Sequence, residues 1–458
     1  MKYSENDATY RGKANLDQCL VSFNSPLSDS KYVVQFHNGA DQKIKKQLEQ
    51  LYEEYGVGIF EPNDLNSFDN PDYLYTACEL YKLRNRFRIH LNNPTCKEFP
   101  FVGLIMHRNN NSSNAETMKH QSGRHGQTGE LTIWFNDSFF KAFVRFLSSI
   151  FDDNPRTVLC DSNDNIIGIG DQIRAPIYRQ KPFDAYFEIR HDIPAILITD
   201  SIKFILSHEL AHALNGHNDL RSELIYKKDE RLKEYLALIE YDADLIAVNM
   251  LLAQHFDYYS ETKSVLVSQK DFFQEFVFAP FTIYVLNTWL YNKDRRHWNK
   301  NVIREYKAGN DPHLPDLLRA GRMIDYYFEQ ATALLNNPVN PQLRFSDGSL
   351  FDDKFIDDAK RYTLSMINAF DKAYFMIFAR TEDMIDLFNG GRWDEVQKII
   401  ANVADEPIPN LSKHYMPYYL GEIVSAKKEI SALEKSLTEF RKLLYDRKAP
   451  CTILNFEK

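Results

Sequence analysis

The chain has 458 residues, enough for about two to four domains of ordinary size and for a substantial buried core. Its net charge of −9 argues against a protein whose main partner is nucleic acid or an anionic membrane surface, and 44% hydrophobic residues exclude wholesale disorder. Gly and Pro are scarce, at 17 and 18 residues, and this shortage of turn-forming residues favours long helices.

The five cysteines are widely scattered and form no CxxC pair. This distribution argues against a disulfide framework and against a thiolate zinc site, and it predicts a reducing, cytoplasmic environment. The N-terminal sequence lacks the apolar core of a signal peptide. The densest apolar stretch, 276–291, is short for a membrane span and contains Pro280, so we expect it to form a buried helix.

The first part of the chain mixes strand-like and helix-like patterns. Residues 1–100 are predicted to form an α+β region, with a helix at 42–56. From 107 to 129 the sequence is polar and lacks apolar periodicity, which is typical of a functional or disordered loop. The segment Glu130–Asn136 (ELTIWFN) then alternates like a strand, and 185–189 is a second candidate strand.

After these strands the pattern is helical to about residue 335. Segments rich in Pro, Asn and Asp at 336–353 and 403–417 predict breaks, and a long last helix follows the second one. The positions that flank the apolar heptad positions of this helix show no consistent pattern of charge, which favours an intramolecular helical hairpin over a dimerising coiled coil. Seven of its apolar residues occupy a and d positions of successive heptads: Ile423, Ala426, Ile430, Leu433, Leu437, Phe440 and Leu444.

The chemistry is concentrated in the segment Thr199–Leu220, which contains the HExxH pattern His208-Glu209-Leu-Ala-His212. On a helix, histidines at i and i+4 lie on one face and can bind the same zinc ion, while Glu209 lies one step round. The pentapeptide alone is only moderately specific. A third ligand is therefore required.

The helix that contains this motif has recognisable end signals. Asp200 or Ser201 can cap its start, and Gly216 can end it in a left-handed turn. His217 follows that turn and competes as a ligand. If the helix continued, His217 would point away from His208, so a structural histidine at the helix end is favoured over a metal ligand.

A second helical segment, Glu234–Leu251, supplies carboxylates. Glu240 and Asp244 lie four residues apart on one face, and Ala243 and Ala247 on that face would allow close approach of a neighbouring helix. We predict Glu240 as the third ligand. Asp244 would accept a hydrogen bond from the far nitrogen of a ligand histidine. The alternative is that both carboxylates are solvated charges on a helix surface.

The HELAH sequence followed by Glu-x-x-Ala-Asp at Glu240–Asp244 resembles the gluzincin metallopeptidases. The resemblance covers about Thr199–Leu252 and implies zinc (Zn²⁺) held by two histidines and a downstream glutamate. It also implies a helix-rich α+β fold with a thermolysin-like zincin core, in which a small sheet lies beside two ligand helices and the strand Glu130–Asn136 pairs with an extended substrate. HELAHALNGH most resembles cytosolic peptidases of bacterial mobile elements and phage-exclusion systems, which implies a role in antiviral defence.

In such an enzyme Glu209 would act as general base, and a second group would stabilise the oxyanion of the reaction. His313, in a proline-bounded segment, is the first candidate for this second group, and a surface-loop histidine is the alternative. Tyr241 is another candidate. Three residues of the polar loop would either cover the cleft as a lid or remain exposed: His120, Arg124 and His125.

The sequence thus predicts a zinc-dependent endopeptidase that cleaves a cytosolic protein or peptide with a metal-activated water. We expect an α+β region at 1–100, a catalytic region at 101–335 and a helical region at 336–458. The flanking regions would select the substrate or a regulatory protein partner, and neither nucleic acid nor a membrane is an expected partner. Two alternatives stay open: a catalytically silent zinc-containing sensor or scaffold, and an aminopeptidase.

Overall fold

The structure is a computed structural model. It describes residues 102–107, 115–119, 131–136, 138–151, 156–160, 166–172, 177, 181–183, 193–261, 268–294, 316–336, 344–379, 387, 390–392, 394–395, 398 and 417–446. The predicted α+β region at 1–100 and the predicted strand at 185–189 lie outside these ranges.

Three strands form the first sheet: β1 (Val102–His107), β2 (Ala115–Lys119) and β3 (Leu131–Asn136). The strand order is β1-β3-β2, with β3 parallel to β1 and antiparallel to β2. The strand predicted at 130–136 is therefore confirmed as β3, whereas β2 lies inside the stretch predicted as a loop. Because β3 is hydrogen-bonded on both edges, the expectation that it pairs with an extended substrate is wrong.

The second sheet consists of β4 (Arg156–Cys160), β5 (Ile166–Gln172) and the two-residue β6 (Phe378–Ala379). Its order is β5-β4-β6, with β4 antiparallel to β5 and parallel to β6.

The helices of the described ranges are α1 (Ser138–Phe151), α2 (Ile193–Leu214), α3 (His217–Lys227), α4 (Leu232–Glu261), α5 (Gln269–Asp294), α6 (Asp316–Asn336), α7 (Asp353–Ile377) and α8 (Pro417–Asp446). The predicted break between residues 336 and 353 is confirmed, since α6 ends and α7 begins at its two limits. The predicted last helix is α8.

The ends of α2 agree only in part with the sequence signals. Gly216 adopts the left-handed conformation, with φ 72°, and separates α2 from α3 as expected. The predicted caps Asp200 and Ser201 are wrong, because α2 begins at Ile193 and both residues lie in its interior. The apolar run before them extends the helix upstream, with Pro194 in the first turn, where proline is tolerated.

The predicted buried helix at 276–291 is confirmed within α5. Every residue from Phe276 to Leu286 is buried, so this helix is apolar on all sides and lies at the centre of a helical core. The Tyr327 hydroxyl of α6 donates a hydrogen bond to the Phe276 carbonyl at 3.1 Å. In the described ranges, no helix has both the length and the apolar character needed to cross a membrane.

The expectation of an α+β fold with a thermolysin-like core is wrong, although the expected richness in helix is correct. Helix makes up 86% of the part of the chain on which the fold class rests, and that part contains no sheet. Ile133 of β3 is the strand residue whose burial the structure describes, and it is buried. Long apolar helices such as α2, α4 and α5 bury their surface against other helices, so this core does not need a sheet beside the ligand helices.

The chain divides into two compact units. The unit that holds the candidate site combines Ile202–Met250 and Ser436–Lys458 with the chain up to Ala142, and the other combines Phe143–Ser201 with Leu251–Lys435. In the first unit the core includes Leu206, Leu210 and Ala243, each 0% exposed. Four of the heptad residues of α8 are buried, which agrees with packing inside the chain: Leu433, Leu437, Phe440 and Leu444.

Candidate metal centre

Helix α2 brings two imidazoles together at its C-terminal end. His208 and His212 are one helical turn apart and are 7% and 8% exposed. Their Nε2 atoms are 3.0 Å apart, and their rings are nearly perpendicular, at 82°. Glu209, which follows His208, is also buried, at 7% exposure. Both histidines therefore direct their Nε2 atoms toward the same point.

Helix α4 adds a carboxylate at that point. The Oε2 atom of Glu240 lies 3.3 Å from the Nε2 atom of His208 and 3.3 Å from that of His212. Ligand atoms 2.0–2.1 Å from a tetrahedral zinc are expected about 3.3–3.4 Å apart, so the three separations fit such an ion closely. Among the described residues, this is the group of three that could hold a metal ion.

Two small side chains of α4 follow Glu240 at helical spacing. Ala243 and Ala247 are both fully buried, at 0% exposure, one and two turns along the helix. Larger side chains at these positions would keep a neighbouring helix farther away. Their burial agrees with the close packing that the sequence pattern predicted.

A second carboxylate of α4 faces the other nitrogen of His208. The Nδ1 atom of His208 lies 2.9 Å from Asp244 Oδ1, and the Asp244 side chain is 4% exposed. A proton on Nδ1 would face the carboxylate across this ion-pair contact, and Nε2 would then keep its lone pair for a metal. The structure thus brings Asp244 to the place that the sequence analysis predicted.

The structure adds a group that the sequence analysis did not assign to the site. His217 Nδ1 lies 3.1 Å from His212 Nδ1, and His217 Nε2 lies 3.1 Å from Asp242 Oδ2. Arg441 of α8 donates from Nε to Asp242 Oδ1 at 2.6 Å. The left-handed turn at Gly216 reverses the chain, so the ring of His217 returns to His212 instead of pointing away.

Burial and neighbouring charges set the charge states of His217 and Asp242. His217 and Asp242 are both 0% exposed. Burial lowers the pKa of His217 below its ordinary value and outweighs the hydrogen bond and negative charge of Asp242, so the neutral imidazole is favoured. Burial alone would raise the pKa of Asp242, but the charge of Arg441 and the hydrogen bond from His217 hold it well below its ordinary value.

His313, His120, Arg124 and His125 lie outside the described residues. Tyr241 is described and is 3% exposed on α4. Asp242 could have been suspected from its position in the Glu-x-x-Ala-Asp segment, but no sequence signal linked it to Arg441.

Comparison with protein-family models, with curated proteins and with solved structures finds no match for this chain.

Proposed function

We propose that the protein is a zinc-dependent peptide hydrolase. His208, His212 and Glu240 hold the ion. The observation that carries the proposal is the convergence of two Nε2 atoms and one Oε2 atom, at 3.0–3.3 Å from one another, beside the glutamate of an HExxH pattern. Among the described residues three side chains would hold the ion, which is the number found in catalytic zinc sites, whereas structural sites use four protein ligands.

Zinc, when bound, supplies a Lewis acid that polarises the substrate carbonyl and lowers the pKa of a water molecule to about 7. In this proposal Glu209 accepts the proton of the attacking water and returns it to the leaving amine. Its place in the sequence supports this role, since it follows a ligand histidine and shares the helix with both. Asp244 holds His208 in the tautomer that exposes the Nε2 lone pair.

The substrate we propose is a protein or peptide of the cytoplasm. The scattered cysteines support the compartment, because a reducing environment keeps such thiols free. The resemblance of HELAH and Glu-x-x-Ala-Asp to gluzincin peptidases supports the reaction class.

The decisive variant is Glu209→Gln, which keeps the size of the side chain and removes its basicity. We expect peptide hydrolysis to fall by about 10²–10⁴-fold. Zinc content, measured by elemental analysis, should stay at the wild-type level because Glu209 is not a ligand. Casein and a quenched peptide library serve as substrates. Glu234→Gln, an exposed change on α4, is the matched control and should leave both zinc content and hydrolysis unchanged.

One outcome would contradict the proposal, and a second would change the class of peptidase. Wild-type protein that binds zinc but cleaves neither casein nor the library would favour a zinc-containing scaffold. Cleavage of free peptides, with none of peptides blocked at the N-terminus, would identify an aminopeptidase instead of an endopeptidase.

A further inference from the structure

We propose that His217, Asp242 and Arg441 are positioning residues: a buried chain of hydrogen bonds through them fixes the tautomer of His212 and aims its Nε2 lone pair at the metal. The inference rests on the proposed zinc site and extends it. It assigns the C-terminal helix α8 a direct part in organising that site.

The direction of each hydrogen bond follows from counting protons. A histidine that binds a metal through Nε2 carries its proton on Nδ1. The Nδ1–H of His212 then donates to Nδ1 of His217, 3.1 Å away. Since that nitrogen accepts, the single proton of a neutral His217 is on Nε2, from which it donates to Asp242 Oδ2 at 3.1 Å.

At the Asp242 end of this hydrogen-bond chain, Arg441 and Asn215 both direct donor atoms at the carboxylate. Arg441 has no acceptor, and its Nε donates to Asp242 Oδ1 at 2.6 Å. The Nδ2 atom of Asn215 donates to Oδ2 at 3.0 Å. Both oxygens of Asp242 therefore act as acceptors, which leaves His217 Nε2 as the donor. A chain with the opposite proton arrangement would leave a buried acceptor facing a buried acceptor.

The surroundings prevent water from taking over these contacts. His217 and Asp242 are 0% exposed, and the ring of Phe440, next to Arg441, lies 6.0 Å from the ring of His217. The two ligand histidines are thus held by different kinds of partner. His208 has a carboxylate directly at Nδ1, whereas His212 has a second imidazole between its Nδ1 and the carboxylate.

The change Asp242→Asn tests this arrangement without altering side-chain volume. Arg441 can only donate, so it retains the amide oxygen and turns the amide NH₂ toward His217 Nε2. His217 must then accept at Nε2 and carry its proton on Nδ1, where it meets the Nδ1–H of His212. We expect zinc affinity, measured by competition with a chromophoric chelator, to fall about 10–100-fold, the range seen when an outer partner of a ligand is changed.

The matched control is Asp371→Asn, the same isosteric change at a partly buried carboxylate in the other unit, where the carboxylate accepts from Tyr284. Its zinc affinity should equal that of wild type. Circular dichroism shows whether each variant is folded.

A second measurement reads the tautomer of His217 in the wild-type protein. In the ¹⁵N spectrum of zinc-loaded protein labelled at histidine, with His217→Gln to assign the signals, His217 should be protonated at Nε2 and bare at Nδ1. A proton on Nδ1, or an Asp242→Asn variant that is folded and binds zinc as wild type does, would overturn the inference while the proposed function stands. Failure of the wild type to bind zinc would overturn both.

Discussion

At the scale of single residues, the centre has an excess of negative charge. Three carboxylates contact the ligand histidines or their partner, namely those of Glu240, Asp244 and Asp242, and Arg441 balances one of them. Carboxylates gathered at low exposure are costly unless a cation compensates them. A divalent cation bound between His208, His212 and Glu240 would remove most of this excess, which is a second reason, besides geometry, to expect a metal there.

Glu240 is the ligand that sequence spacing alone supports least, and it can be tested directly. The change Glu240→Gln keeps the shape of the side chain but replaces an anionic ligand with a neutral amide, a weak ligand for zinc. We expect the purified variant to contain little zinc by elemental analysis and to have no measurable hydrolysis. The exposed change Glu234→Gln on the same helix should contain as much zinc as wild type. Full zinc content in Glu240→Gln would show that another group provides the third ligand.

The residues of the centre differ in how far the sequence predicts them. His208 and His212 share one continuous helix, so their spacing alone places both rings on one face. Glu240 and Asp244 were found in the same way on a second helix. His217 was predicted as a structural histidine at the helix end, but its contacts with His212 and Asp242 were not predicted, because they form only after the left-handed turn at Gly216.

At the scale of elements, α5 and α7 contain an ionisable pair that has no part in the metal centre. The Tyr284 hydroxyl of α5 lies 2.8 Å from both carboxylate oxygens of Asp371 on α7. Burial raises the pKa of Asp371 from 3.8 to about 7, although the hydrogen bond from Tyr284 opposes the shift. This carboxyl therefore makes the stability of the helical core depend on pH.

The sign of that dependence is opposite to the usual one for an aspartate. Between pH 3.8 and about 7 the folded state keeps the proton of Asp371 and the unfolded state has lost it. Stability therefore falls as pH rises through this window, by up to about 1.4 kcal/mol per pH unit, and this fall stops above pH 7. Asn cannot ionise, so Asp371→Asn should gain stability over wild type as pH rises from 5 to 7 and hold that gain at pH 8.

Urea unfolding of both proteins at pH 5, 6, 7 and 8 measures the difference. Asp357→Asn, an exposed change on the same helix, should follow wild type at every pH. A constant difference between Asp371→Asn and wild type from pH 5 to pH 8 would show that Asp371 is already ionised in the folded protein.

Element boundaries were predicted where local chemistry determines them, and tertiary pairing was not. The strand β3 was found from its alternation, and the break between α6 and α7 was found from its Pro and Asn residues. The partners of β3 were not predicted, because its hydrogen bonds to β1 and to β2 join segments that are separated along the chain. The assumption of a free strand edge failed for that reason.

At the scale of the whole molecule, the metal centre depends on segments that are far apart in the chain. Asp242 and Arg441 are 199 residues apart, yet they form a direct ion pair. No periodicity or spacing relates two such positions. The sequence could therefore predict the ligands from two neighbouring helices, but it could not predict that the last helix completes their surroundings.

Since zinc would bind the folded arrangement of these segments and not the unfolded chain, it should stabilise the whole protein. Zinc at a hundred times its dissociation constant adds about 2.7 kcal/mol to the free energy of unfolding. We expect EDTA to lower the melting temperature of wild type by several degrees and added zinc to restore it. The Glu240→Gln variant lacks the third ligand, so its melting temperature should respond little to either reagent. Equal responses of wild type and Glu240→Gln would mean that the stabilising zinc binds elsewhere, which would remove the link between this centre and folding.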